Sequence, residues 1–256
     1  MHKTGIFPPR SLAFVSFSVL VVFFFSGCKP HRASFASPDE AVTSLQHCTA
    51  DTCARLADAV HLAFTLRPDS CTVTPIHGIF EQGFDEALLN VQCSMDFELV
   101  LLARQPTGRW QYADSISFPR GAFDVVDIGV TKLIDRTNDA IVIRNETAGE
   151  GTGLYQADFL VLQVLNSKLH TVLDTVEKGT FAVEADQPVV EQQSSFDITP
   201  ATATGSGSVR ETMTLKVGGK KVVVQRDFDW QKDLGSFEPG FWYSPDSVTE
   251  SRKKSG

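Results

Sequence analysis

Near Cys71 the spacing of apolar residues changes, and that change limits the fold more than any other feature of the chain. Before it, apolar side chains recur at helical intervals. Ser37-Pro38-Asp39-Glu40 is a capping box with proline at the first helical position, where its missing N–H costs nothing. Ala41, Val42 and Leu45 then give one apolar face, and the helix is expected to end near His47. A second helix is expected from about Asp51 or Thr52, with Leu56, Ala57, Val60, Ala63 and Phe64 at helical spacing and Pro68 as the stop. After Cys71 the period is two. Phe97, Leu99 and Leu101 alternate with Asp96, Glu98 and Val100, while Trp110, Tyr112, Ile116 and Phe118 share a face.

Turn signals separate these runs. Pro106-Thr107-Gly108, Asn166-Ser167 and Gly218-Gly219 each stand between two apolar runs, as in β-hairpins. Ile141 and Ile143 follow Asn138-Asp139. Phe159 to Leu165 is followed by Leu169 to Leu173, and Met213, Leu215 and Val217 are answered by Val222, Val224, Phe228 and Trp230. Strands joined by turns this short must pair antiparallel, because parallel pairs need long crossovers. The expected fold class is α+β: a short N-terminal helical hairpin over residues 37–66, then a large antiparallel β-meander over 71–243, together one domain. Residues 199–208, rich in Thr, Ala, Ser and Gly, read as a flexible loop, and 244–256 as a flexible tail.

The first residues carry an address. Lys3 and Arg10 precede an apolar run from Leu12 to Phe25, too short for the roughly 20 residues a membrane-spanning helix needs. The run ends in Phe25-Ser26-Gly27-Cys28. This resembles the lipobox of bacterial lipoprotein precursors, with phenylalanine where leucine is commoner. The resemblance implies a signal peptide over 1–27, cleavage before Cys28, a diacylglyceryl group on the Cys28 sulfur, and a fatty acyl chain such as palmitate on the new amino group. Residues 28–36 then form a lipidated tether. The implied place is the cell envelope, on the periplasmic face of the outer membrane or the outer face of the inner one. Lys29, where an aspartate would favour inner-membrane retention, leans toward the outer membrane.

Charge narrows the partners. Removing residues 1–27 takes away Lys3 and Arg10 and no acidic residue, so the net charge moves from −8 to −10. A body this acidic is repelled by nucleic-acid phosphates. The expected partners are the membrane, through the lipid, and another envelope protein or a glycan. With 42% hydrophobic residues the chain can fill a core.

Four cysteines remain beyond Cys28: Cys48, Cys53, Cys71 and Cys93. An even count in an exported chain reads as two disulfides, for which three connectivities exist. Cys48–Cys53 with Cys71–Cys93 is favoured because each closes a local loop. Zinc held by these thiols with His47, His61 or His77 is the rival, although Cys-x4-Cys lacks the second short pair of structural zinc sites.

No catalytic motif emerges. Gly-x-Ser-x-Gly and His-Glu-x-x-His are both absent. His77 with Glu81 and Asp85 is the candidate for a hydrolytic site assembled in space, and Asp227 with Asp229 is a candidate acid pair, though both fit a wet sheet face. Gly149-x-Gly151-x-Gly153 lacks the spacing of a phosphate cradle. Phe237, Phe241, Trp242 and Tyr243 cluster late, as core closure or as a platform for sugar or peptide. The stretch from Val130 to Leu173 weakly resembles one unit of FG-GAP-type repeats, with an acidic turn at Asp135, Asn138 and Asp139. That resemblance implies a calcium turn, but Arg136 and Thr137 interrupt the oxygen ligands a hard cation needs. Neither a cofactor nor a metal is expected. The functional expectation is a membrane-anchored, non-enzymatic binding or scaffolding module. A secreted hydrolase with a non-local site and a calcium-stabilised β-module are the alternatives.

Overall fold

The computed structural model describes residues 33–67, 69–93, 96–119, 126–148, 155–181 and 189–245. The signal segment and Cys28 lie outside these residues, as do the glycine loop 149–153 and the tail beyond 245.

After the two-residue strand β1 (Ser34–Phe35), helix α1 (Pro38–Gln46) starts where the capping box predicts. The Ser37 hydroxyl accepts the Glu40 amide at 3.1 Å, and the Glu40 carboxylate accepts the amide of Ala36. Helix α2 spans Ala50–Ala59. It is shorter than the apolar spacing suggests, because the chain turns left-handed at His61 (φ 54°) and Leu62 N–H donates back to Ala57. The next amide, Ala63, is taken at 2.9 Å by the buried carboxylate of Glu98, so tertiary pairing ends the helix before Pro68 is reached. α1 packs mainly on the strand beneath it.

The strands follow one another antiparallel with their sequence neighbours, but they divide into two sheets. The first joins β1, β2 (Cys71–Ile76), β3 (Glu86–Cys93), β4 (Asp96–Arg104) and β5 (Trp110–Pro119) in the order β1-β5-β4-β3-β2. The second is eight strands in sequence order: β6 (Val126–Thr131), β7 (Ala140–Ala148), β8 (Tyr155–Val164), β9 (Leu169–Phe181), β10 (Val190–Thr199), β11 (Ser208–Val217), β12 (Lys220–Gln231) and β13 (Ser236–Pro239). Turn chemistry accounts for the hairpins. Gly218 and Gly219 both have positive φ between β11 and β12, as a two-residue hairpin turn requires, and Asn166 and Ser167 adopt the same region between β8 and β9.

The first sheet is covered on both faces. On one, Ala41, Leu45, Ala57 and Val60 of the helical segment meet Val73, Leu89, Val91, Val100 and Leu102. On the other, Leu88, Phe97, Leu99 and Leu101 meet Ile141, Ile143, Leu160 and Leu162 of the second sheet, with Phe97 stacked on Phe118 at 4.6 Å. β4 is therefore apolar on both faces apart from Glu98, whose role is to hold the chain leaving α2.

The second sheet rolls. In a flat sheet β8 and β10 would stand about 10 Å apart, yet the rings of Phe159 and Phe196 stack at 4.0 Å. β12 would lie three strands from β9, yet Arg226 Nη2 donates to Thr175 Oγ1 at 3.2 Å. Two register shifts along β8–β9 bend the ribbon, and β10 pairs with β9 only over Lys178–Phe181. β13 comes back beside β9. The rolled interior is apolar at one end, where Leu133, Val142, Phe159, Val161, Phe196, Val209, Phe228 and Phe237 pack together.

Residues 199–208 are held rather than free. Ala201 N–H donates to Lys132 O at 2.8 Å and Gly207 N–H to Leu133 O at 2.7 Å. A side chain at Gly207 would place its Cβ 2.2 Å from Thr199 O, so the crossing is built around glycine.

Candidate functional site

The inner face of the rolled sheet changes character toward its other end. Arg144 follows Val142 on that face, Glu211 follows Val209, and Arg226 lies between Val224 and Phe228; each is a charged residue at an apolar strand position. Glu211 is fully buried. It accepts Arg226 Nε at 2.7 Å and the Ser194 hydroxyl at 2.5 Å. The Arg226 guanidinium is stacked between two rings, 4.6 Å from Phe228 and 4.3 Å from Trp242. Trp242 is held there by the segment after β13, where Tyr243 and Gln225 exchange backbone hydrogen bonds at 2.8 Å. A buried ion pair of this kind adds little net stability, because desolvation offsets the attraction, so stability alone gives little reason for placing it here.

Beside this pair lies a cavity of about 280 Å³, lined by Asp127, Arg144, Glu146, Ala157, Glu177, Lys178, Gln193 and Ser194. Five successive strands, β6 to β10, contribute. The register shift at Ala157/Asp158 leaves Glu177 without a partner opposite, and both Glu177 and Lys178 reach the cavity. Arg144 Nε lies 3.2 Å from Glu177 and Arg144 Nη1 lies 3.6 Å from Asp127. Nε is itself buried and lacks hydrogen-bond alignment, so the contact with Glu177 is a charge contact rather than a hydrogen bond. Burial pushes the Glu177 carboxyl above its ordinary pKa; Arg144 opposes the rise, and the charges of Glu146 and Asp127 add to it. The lining holds no cysteine or histidine, and its one hydroxyl, on Ser194, is committed to Glu211.

A second, wider cleft of about 1090 Å³ opens at the apolar end of the roll. Ile134, Gln163, His170, Ser206, Trp230 and Lys232 are among its walls. Trp230 leans on Phe237 with ring centres 5.2 Å apart. His170 and Ser206 share this cleft but are not hydrogen-bonded to each other.

The sequence candidates fall as follows. The two disulfides are Cys48–Cys53, closing the turn between the helices, and Cys71–Cys93, a directly opposed pair across β2 and β3. All four thiols are thereby consumed, which removes the zinc alternative with His47, His61 or His77. Asp135 caps its own turn. It accepts Thr137 N–H, Thr137 Oγ1 and Asn138 N–H on Oδ1 at 2.6 to 2.7 Å, and Asn138 Nδ2 on Oδ2 at 2.9 Å. Burial would raise its pKa, but these bonds outweigh that and hold it low. Asn138 accepts the Gln82 amide at 2.7 Å. Asp139 accepts the Ile79 amide at 2.5 Å and pairs with Lys132 at 2.8 Å. The acidic turn thus uses its oxygens to fasten the loop between β2 and β3. Among the described residues no three acidic, histidine or cysteine side chains are placed to hold a metal ion.

Glu81 and Asp85 are each engaged away from His77. Glu81 accepts the amides of Asn166 and Ser167, both at 3.0 Å, and Asp85 pairs with Arg104 at 3.0 Å. Asp227 binds Arg210 at 2.7 Å and accepts the Tyr243 hydroxyl at 3.1 Å, while Asp229 is exposed. The late aromatics separate: Phe237 is core, Trp242 lies on Arg226, and Phe241 is 97% exposed.

The cavity residues Arg144, Glu177 and Ser194 and the pair Glu211–Arg226 are not among the sequence candidates. Their signal is a charge standing where the period-two pattern calls for an apolar residue, and it becomes readable only once the inward face is known. Comparison with protein-family models, with curated proteins and with solved structures finds no match for the chain.

Proposed function

We propose that this chain is the precursor of a lipid-anchored envelope protein whose body is a non-enzymatic binding module, with the cavity inside the rolled sheet as its ligand site. One observation carries the binding reading. Side chains of both charges from β6, β7 and β9 converge on a partly desolvated cavity that β8 and β10 complete, and no nucleophile–base pair stands among them. A concave site with a few convergent polar groups is the ordinary form of a recognition site. The anchor rests on Phe25-Ser26-Gly27-Cys28, and two disulfides favour an oxidising compartment.

Two experiments test the reading. Replacing Cys28→Ser is expected to release the chain from membranes or leave it as uncleaved precursor; continued processing and sedimentation with membranes would refute the anchor. Separately, the lipidated chain is cross-linked in its own membranes and purified. A ligand or partner retained by the native chain and lost with Arg144→Gln supports the cavity, whereas equal recovery from both removes it as the site.

A hydrolase remains the second reading because Ser206 and His170 line one cleft. A serine-directed fluorophosphonate that fails to label Ser206 would end that version.

A further inference from the structure

Charge is unevenly matched inside the cavity. Asp127, Glu146 and Glu177 face Arg144 and Lys178, three carboxylates against two cations. Arg144 is shared between Asp127 and Glu177. Glu146 has no ion pair among the described residues. The neighbouring pair, Glu211 with Arg226, does not line the cavity and is tied to itself, Ser194 and Thr175. A partly enclosed space with one surplus negative charge attracts a cation more strongly than the same charges spread over open surface, because less water screens them. Its volume, about 280 Å³, suits one extended aliphatic chain rather than a folded partner. The bulge that brings Glu177 and Lys178 together into the cavity, and the contact of Arg144 with Glu177, set that carboxylate before any ligand arrives.

We propose that the ligand of this cavity is an organic cation, with an aliphatic ammonium or guanidinium group inserted between Glu146 and Glu177. A free polyamine and a lysine or arginine side chain of a basic peptide share that chemistry. The inference rests on the binding reading above and names the ligand class of the same site.

Titration calorimetry on the full chain in detergent tests it, with spermidine and tetralysine as probes and tetraglutamate as the opposite charge. The native chain is expected to bind one cation per chain and to lose affinity as salt rises. Binding of spermidine alone would identify the free amine as ligand, and binding of tetralysine alone the peptide side chain; either supports the proposal. Glu146→Gln and Glu177→Gln should each weaken binding by about tenfold. Asp85→Asn, which removes the same charge from the loop before β3, should leave it unchanged. Because Glu146 has no ion pair among the described residues, its neutralisation should not disturb folding, and an unchanged melting curve verifies this.

No binding of either cation, or equal binding by native protein and Glu146→Gln, overturns the proposal. If tetraglutamate binds instead and Arg144→Gln abolishes that binding, the cavity is a ligand site of the other sign. The binding reading then stands and the cation assignment falls. If none of the three probes binds, the cation assignment falls and the cross-linking experiment alone judges the binding reading.

Discussion

The two sheets of this protein solve the same problem in different ways. Each must bury two apolar faces of antiparallel strands. The first has its faces covered by other elements, helices on one side and the second sheet on the other, so the interior of its middle strand β4 is apolar but for one buried acid, Glu98, which is tied to a backbone amide. The second covers one face with the first sheet and the other with itself. Rolling closes well at one end, where Phe159 meets Phe196. At the other end it leaves a space lined by charges, with Glu211 tied to Arg226 instead of to backbone. A sheet covered by separate layers can adjust each layer to fit. A sheet that covers itself is bound by its own curvature, and what the curvature leaves over becomes a cavity.

The comparison can be broken most sharply in the first sheet. Phe97→Ala is expected to cost about 3 to 5 kcal/mol in chemical denaturation, because Phe97 is fully buried between the sheets. A loss under about 1 kcal/mol would mean the interface is loose. In the second sheet Glu211→Ala should cost about 3 kcal/mol, as it strands the largely buried Arg226. The double change Glu211→Met with Arg226→Met should recover most of that. If the double variant is no more stable than Glu211→Ala, the pair is structural, and the contrast drawn between the sheets fails.

Cys71→Ala with Cys93→Ala should cost about 3 kcal/mol or slightly more, since the closed loop is 22 residues long. Thermal melting with and without reductant checks it.

A smaller effect tests the seam between the sheets. Glu86 accepts the Ser167 hydroxyl at 2.7 Å, but its Oε2 is buried without a partner. Burial pushes its carboxyl above the ordinary 4.5; the Ser167 bond opposes this and the Glu81 charge adds to it. The folded chain therefore holds this proton more tightly than the unfolded chain does, and stability is lost as pH rises from 4.5 through the folded pKa. Glu86→Gln should be the more stable form at pH 7, by roughly 0.5 kcal/mol after solvent screening. The advantage should close as pH falls to 4 and below. An advantage that grows on acidification would reverse the sign and refute the account. Smallest of all, EDTA should leave the melting temperature unchanged, because the Asp135 and Asp139 oxygens already hold amides and Lys132. A fall in melting temperature would restore a calcium role for that turn.

Much of the local structure was legible in the sequence. Ser37 and Pro38 mark the start of α1, Gly218-Gly219 and Asn166-Ser167 mark hairpins, and the cysteines pair locally, because each of these features is decided within a few residues. The end of α2 was not legible. Its apolar spacing runs on to Phe64, but the Ala63 amide is claimed by Glu98, 35 residues away. The candidate site was legible only in outline. Arg144, Glu211 and Arg226 break the alternation of their strands, yet a charge in a strand ordinarily means the wet face.

The sequence by itself determined that this chain makes two short helices followed by antiparallel strands, since hydrophobic period and turn chemistry act over short distances. Only the tertiary structure decided that the strands part into two sheets after β5, that the second sheet rolls, and that its inner face holds paired charges beside a cavity. Period-two alternation distinguishes two faces of a strand without saying what will cover either. The covering comes from other strands brought up in the fold, and whether a charge can stand buried is settled by the partner it meets there.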